Sequence, residues 1–172
     1  RQRQMCIRDS FISHKQRGFM KGRLITENLV DIDYASHQIR IKGSRGALVL
    51  FDFKAAFPSI NHHYMWSTLA KCGVPPNVIQ AYRYLYCNNH HTLQIGKHQF
   101  PSVTVRSGVR QGCPLSPLLF VICIEPLLER LELLFPDSTI RAFADDIGGT
   151  FTDIEACWPL LVQTFELSLI HI

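Results

Sequence analysis

The chain has 172 residues, 47% of them hydrophobic, and a formal net charge of +4. That apolar content is enough to fill a core and excludes a disordered chain, and the length suits one domain or part of a larger protein. The mild basicity, with a pI near 8.8, fits a polyanionic partner without establishing one.

Residues 1–10 show no periodicity, and residues 167–172 break off in mid-element; both ends are read as assembly artefact or truncation and are assigned no function. Residues 14–23 form a basic loop punctuated by Gly18 and Gly22. It suits phosphate contact through backbone N–H groups or point charges, and equally an ordinary solvated loop. Between Leu24 and Ile39 the apolar positions Leu29, Ile32 and Ala35 lie three apart, and Thr26 with Asp31 offers a start signal, so the spacing predicts a helix. A polar turn over residues 42–46 feeds the run Ala47-Leu48-Val49-Leu50-Phe51, which is continuously apolar and reads as a buried central strand. The run ends in Asp52. A carboxylate there has to be used or paired, because burying an unpaired ion is expensive.

Pro58 ends any regular strand. Asn61 is a natural cap for a helix to about Cys72, with Gly73 as its stop. Pro75 and Pro76 open a second helix to about Cys87, with Val78, Ile79, Tyr82, Leu85 and Tyr86 on an apolar face and Asn88-Asn89 closing it. Residues 90–95 and 100–106 alternate apolar and polar side chains and are predicted to pair as a hairpin across Gly96-Lys97-His98. The neighbours His62/His63 and His90/His91 point to different sides of their elements, so they read as solvated or hydrogen-bonded histidines rather than chelating pairs.

Two glycines and two prolines shape residues 107–117, with Ser116 read as the N-cap and Pro117 as a first-turn residue of a helix over 118–134. That helix is apolar on nearly all sides and predicted to be buried on more than one face. The N–H groups at its start, with Arg110 and Gln111 ahead of them, suit a phosphate or sugar. Pro136-Asp137-Ser138 then turns the chain into two short apolar runs, 140–144 and 147–151, flanking Asp145-Asp146 as the turn of a hairpin. A last helix is expected from Glu155 to about Phe165.

Six scattered cysteines (Cys6, Cys72, Cys87, Cys113, Cys123, Cys157) contain no Cys-x-x-Cys pair. This argues against a zinc site and for a reducing compartment without disulfides. The longest apolar run, 118–124, is interrupted by Glu125 and too short to span a bilayer, and no signal-peptide pattern is present. An intracellular protein of nucleus or cytoplasm, not secreted and not membrane-bound, is expected. Asp52, Asp145 and Asp146 at the ends of adjacent strands would make an oxygen-rich cluster of the kind that hard divalent cations bind together with substrate phosphates.

In this order the motifs resemble those of reverse transcriptases, most like the non-LTR (LINE-type) retrotransposon enzymes. Gln16-x-Gly18-Phe19-x-x-Gly22-Arg23 resembles the fingers loop of that family. Phe51-Asp52-Phe53-Lys54-Ala55-Ala56-Phe57 resembles its first catalytic motif, residues 108–117 the second, and Phe143-Ala144-Asp145-Asp146 the third. The resemblance implies an α+β fold: a polymerase palm (47–166) with an antiparallel sheet packed on helices, part of the fingers (11–46), and no thumb. It implies Asp52, Asp145 and Asp146 as catalytic residues and, with the carbonyl of Phe53, as ligands of two Mg²⁺ ions, for which Mn²⁺ is a possible substitute. Phe57 falls where the family places its steric gate against a 2′-hydroxyl. Arg110, Gln111 and Gly112 would bind the nucleotide, and Lys21 and Arg23 would lie near the template or triphosphate. RNA template, DNA primer and deoxynucleoside triphosphates are the implied partners. The departures are Pro58, where many relatives carry Asp, and the missing thumb, without which this stretch alone is expected to have little processive activity. An RNA-dependent RNA polymerase shares the two-metal palm, but Phe57 and the loop at 111–117 argue against it. A non-enzymatic nucleic-acid-binding remnant of a decayed element is the rival of a different class.

Overall fold

A computed structural model describes residues 11–87 and 89–169; the readings of residues 1–10, Asn88 and residues 170–172 fall outside them. In chain order the elements are α1 (Ile25–Lys42), β1 (Ala47–Phe51), α2 (Ala56–Ser59), α3 (His62–Lys71), α4 (Pro76–Tyr86), β2 (His90–Ile95), β3 (His98–Thr104), α5 (Ser116–Leu134), β4 (Thr139–Phe143), β5 (Asp146–Phe151) and α6 (Ile154–Leu169). The expected α+β class with an antiparallel sheet on helices is what forms.

The main sheet has the order β1-β5-β4, antiparallel throughout. The strand read as central, β1, is therefore an edge strand, and β5 takes the middle. The run misleads because every residue in it is apolar, although burial alternates along it: Leu48 is 50% and Leu50 75% exposed, while Val49 and Phe51 face inward. The middle strand instead carries Gly148 and Gly149, poor strand formers. Space explains the first of them. A Cβ on Gly148 would stand 2.9 Å from Ile32 Cδ1 of α1, so the bare backbone lets that helix lie close on the sheet.

Beneath the other face runs α5, buried along most of its length from Ser116 to Leu131 as expected. Its Leu115 neighbour, not Ser116, occupies the N-cap, and the Ser116 hydroxyl donates to the Arg110 carbonyl instead, tying down the preceding loop. The start of α1 departs similarly: Leu24 is its N-cap and Thr26 is internal. The face of α1 toward the sheet is set by Asn28 and Ile32, whereas Leu29 stays 62% exposed. The cap on α3 is as predicted, with Asn61 Oδ1 accepting from the N–H groups of His63 (2.8 Å) and Tyr64 (3.2 Å). On α4, Ile79 and Tyr86 are buried, but Leu85 is exposed. The β2–β3 hairpin turns on two residues, Gly96 and Lys97, because Ile95 pairs with His98; the second strand thus starts earlier than the alternation suggested. The last helix runs beyond Phe165 to Leu169 and stacks Phe165 on Phe51 at 4.2 Å.

Cys123 is buried and Cys72 partly so, and burial pushes both thiols up to about 12. Among the described residues no helix is long and apolar enough to cross a membrane.

Glu125 is fully buried in α5. One carboxyl oxygen accepts from the Ser13 N–H at 2.9 Å; the other, like the Ser13 hydroxyl, has no hydrogen-bond partner among the described residues. Burial raises its pKa, against the opposing Ser13 donor. A raised carboxyl keeps its proton in the fold at pH values where the unfolded chain has lost it, so its effect on stability is fully favourable below the ordinary Glu range and fades as pH rises. Glu125→Gln should therefore gain in Tm relative to the parent between pH 5 and pH 8. Parallel Tm profiles by circular dichroism would count against this coupling.

Candidate active site

Antiparallel pairing gathers the acidic residues at one end of the sheet. Phe51 pairs with Ile147 and Phe143 with Asp146. Carrying the first register one step further sets Asp52 across from Asp146, and residues directly opposite share a face. The turn is Ala144-Asp145, one residue before the expected Asp145-Asp146, because Phe143 pairs with Asp146 and Asp146 opens β5; Asp145 is half-buried, while Asp52 and Asp146 are exposed. Residues 93 positions apart in sequence thus end at one corner. None of the ion pairs among the described residues involves any of the three. A corner of uncompensated carboxylates repels itself and attracts cations.

The donor set is all oxygen and suits a hard divalent ion. It does not form a ready cage: among the described residues, no three His, Cys, Asp or Glu side chains are grouped closely enough to hold a metal. A hard divalent ion held there would draw the rest of its shell from water and substrate phosphates.

The turn itself is unusual. Ala144 has φ +58°, and Asp145 is not in the left-handed region. Positive φ at the first residue alone is the pattern of a type II′ turn, which ordinarily places glycine there. For alanine the conformation costs about 1–2 kcal/mol. Around it lies the segment whose sequence reads as a basic loop and resembles a fingers loop. Residues 15–17 run beside β4: Ala142 N–H donates to the Lys15 carbonyl and Arg17 N–H to the Ala142 carbonyl, both at 2.9 Å. Asn28 Nδ2 reaches the same carbonyl at 3.0 Å. The carboxamide of Gln16, 0% exposed, contacts both backbone polar groups of Ala144. In sequence Gln16 stands out as the first residue of the fingers-loop motif, whereas Asn28 carries no signal.

On the other side of the corner, Phe57 is clamped between aromatic rings. It stacks on buried Phe120 at 4.4 Å with an 8° interplanar angle, and Phe19 meets it edge-on at 6.1 Å. Its carbonyl accepts from Val109 N–H at 2.9 Å, and Gly108 N–H donates to the Ile60 carbonyl at 2.7 Å. His62 Nε2 lies 2.9 Å from the Gly108 carbonyl oxygen, which gives this histidine the hydrogen-bonded role expected of it. These bonds join the Asp52–Phe57 segment to the loop that carries Arg110, Gln111 and Gly112. Gln111 and Gly112 are exposed there, with Gly112 at φ +81°. Arg110 leans over the Tyr86 ring, 5.7 Å from its centroid, and donates to Asn89 Oδ1 at 3.1 Å.

The two cations of the first loop part ways. Arg23 donates to the carbonyls of Ile12, Ser13 and Gln16, so its guanidinium organises the loop from inside. Lys21 is exposed.

Comparison with known proteins bears on this arrangement. A family profile described as "Reverse transcriptase (RNA-dependent DNA polymerase)" matches residues 1–167. The transposon TX1 uncharacterized 149 kDa protein of Xenopus laevis is 30% identical over 135 residues, covering 73% of this chain and 10% of its own length. The retrovirus-related Pol polyprotein from type-1 retrotransposable element R2 of Nasonia vitripennis is 30% identical over 139 residues, covering 77% of this chain and 14% of its own. That of the type-2 element R2DM of Drosophila melanogaster is 25% identical over 139 residues, with shares of 77% and 13%. The chain thus spans between 10% and 14% of the length of these three relatives.

Proposed function

The chain belongs to the reverse transcriptase family, and on that premise we propose that it is the catalytic palm, with part of the fingers, of an RNA-directed DNA polymerase of a non-LTR retrotransposon. The observation that carries this reading is the corner where Asp52, Asp145 of the turn and Asp146 at the start of β5 come together. The reaction is attack of a primer 3′-hydroxyl on the α-phosphate of a deoxynucleoside triphosphate, with a P–O bond formed to the primer and pyrophosphate released. Divalent ions, Mg²⁺ or in its place Mn²⁺, supply charge neutralisation at the attacking and leaving oxygens when bound. The chain's own part is to hold Asp52, Asp145 and the Phe53 carbonyl at the sheet end, with Asp146 assisting, and to keep them free of internal cations.

Substrate choice is assigned to Phe57. Its ring is stacked on buried Phe120 and met edge-on by Phe19, which restricts its movement. A fixed wall discriminates against an added 2′-hydroxyl, whereas a mobile one yields to it. Gln111 and Gly112 present side-chain and backbone donors from the facing loop, and Lys21 offers charge from the first loop.

Charge distribution supports a nucleic-acid partner. All fourteen acidic residues lie within 1–52 or 125–172. The intervening stretch has six cations (Lys54, Lys71, Arg83, Lys97, Arg106 and Arg110), all exposed, and no acid. A molecule of only +4 overall thereby keeps one long segment without carboxylates to repel a phosphate backbone.

Primer extension on an RNA template, by the longer polypeptide carrying this chain, tests the proposal. Deoxynucleotides should be incorporated and ribonucleotides largely rejected. Phe57→Val should narrow that preference on the order of tenfold or more. Incorporation of ribonucleotides by the parent as readily as deoxynucleotides would refute the assignment, and metal-independent binding with no synthesis would favour the decayed remnant.

A further inference from the structure

We propose that Gln16 is a positioning residue for the catalytic corner, acting on Asp145 through the backbone of Ala144. This inference rests on the polymerase reading above and goes beyond the family's motif carboxylates. Gln16 Oε1 accepts from Ala144 N–H at 2.8 Å and from Gly18 N–H at 2.8 Å, and its Nε2 donates to the Ala144 carbonyl at 3.0 Å. One side chain therefore satisfies both the donor and the acceptor of the residue preceding Asp145, from a site 128 positions away in sequence.

The chemistry is selective. A carboxamide offers a neutral acceptor and a donor side by side. Glu keeps the acceptors but cannot donate to the Ala144 carbonyl when ionised, Met keeps the shape and offers neither, and Asn is shorter by one methylene. Because Gln16 is buried, these bonds are worth more than at the surface, and any left unmade is costly.

The site is built for this contact. A Cβ on Gly18 would stand 2.0 Å from the Ala144 nitrogen, so only a glycine lets the loop approach the turn this closely. The loop is braced in turn: Arg23 donates to the Gln16 carbonyl at 2.6 Å, and Arg17 pairs with Asp31 at 2.9 Å and with Glu27 at 3.1 Å. Arg141 of β4 donates to the same Asp31 at 2.6 Å. Ala144 sits at positive φ, where alanine has little preference to stay, and the Gln16 carboxamide holds it there. Released, the turn would relax, and Asp145 would be displaced relative to Asp52.

Gln16→Met and Gln16→Glu, made in the polymerase-competent polypeptide that carries this chain, test the proposal. In both, kcat for nucleotide addition should fall on the order of 10- to 100-fold, the cost of a misplaced reacting group, with KM for primer–template within about twofold. A second readout needs no activity. The Ala144 amide proton, followed by NMR in protein labelled with ¹⁵N-alanine, should exchange about tenfold faster or more, while amides of α5 keep their protection. Unchanged kcat, or unchanged exchange at Ala144, overturns the proposal. So does a general loss of protection in both variants, because Gln16 would then be a folding residue and not a positioning one. An inactive parent would instead strike at the polymerase reading, and the exchange measurement would still decide on Gln16.

Discussion

Asp145→Asn is expected to lower the rate of nucleotide addition on the order of 10³-fold or more, with little change in the melting curve. The substitution keeps size and shape but removes a negative charge that no internal cation neutralises. The fold loses nothing, since the charge takes part in no ion pair among the described residues, and repulsion with Asp52 and Asp146 is relieved. The reaction loses an anionic ligand where several kcal/mol of charge stabilisation is required. Asp52→Asn should behave alike. Asp146→Asn should cost less, because in this reading that carboxylate only assists. Single-turnover extension at saturating deoxynucleotide measures all three. An Asp145→Asn enzyme within tenfold of the parent would remove the corner from the mechanism.

Gly18→Ala is expected to destabilise the protein by about 3 kcal/mol, the upper end of overpacking costs, which is roughly 6–12 °C in Tm for a chain of this size. Its new Cβ would stand 2.0 Å from the Ala144 nitrogen, 2.8 Å from the Ala144 Cα and 2.9 Å from the Phe143 carbonyl carbon. All three are backbone atoms, so no side-chain rotation can relieve the clash. Either the loop lifts off or the turn moves. Gly22→Ala is the control within the same loop: its φ is +80°, but nothing lies within 4 Å of the added carbon. Backbone conformation alone should cost about 1–2 kcal/mol there. Equal melting temperatures for the two variants would show that the loop does not seat on the turn as described.

Local chemistry made much of this fold legible beforehand. The Asn61 cap, the glycine after α3, the β2–β3 ribbon and the long buried helix each follow from a few neighbouring residues, whereas the acidic hairpin turns one residue earlier than its Asp-Asp pair suggested, on Ala144-Asp145. What the sequence could not disclose was lateral order. Ala47 to Phe51 is wholly apolar and looks central, while β5 carries two glycines and looks weak, yet β5 is in the middle, and the seating of α1 over Gly148 explains why glycine is accepted there. Ser116 has the chemistry of a cap and uses its hydroxyl elsewhere because the Arg110 carbonyl is within reach. Arg23 has the chemistry of a phosphate ligand, and its guanidinium is spent on three carbonyls of its own loop. The role proposed for Gln16 was hidden for a further reason: its partners are backbone atoms, which leave no trace in residue identity.

The outer position of β1 carries a consequence for handling the isolated chain. Among the described residues this strand pairs with β5 alone, and Leu48 and Leu50 project from it into water. Free ladder groups beside two greasy side chains are a template for adventitious strand addition by another copy. Constitutive self-association through that margin would mask the corner next to it, since Asp52 is the very next residue after the strand. A charged replacement at Leu48, remote from the carboxylates, is the rational first step toward a tractable monomer.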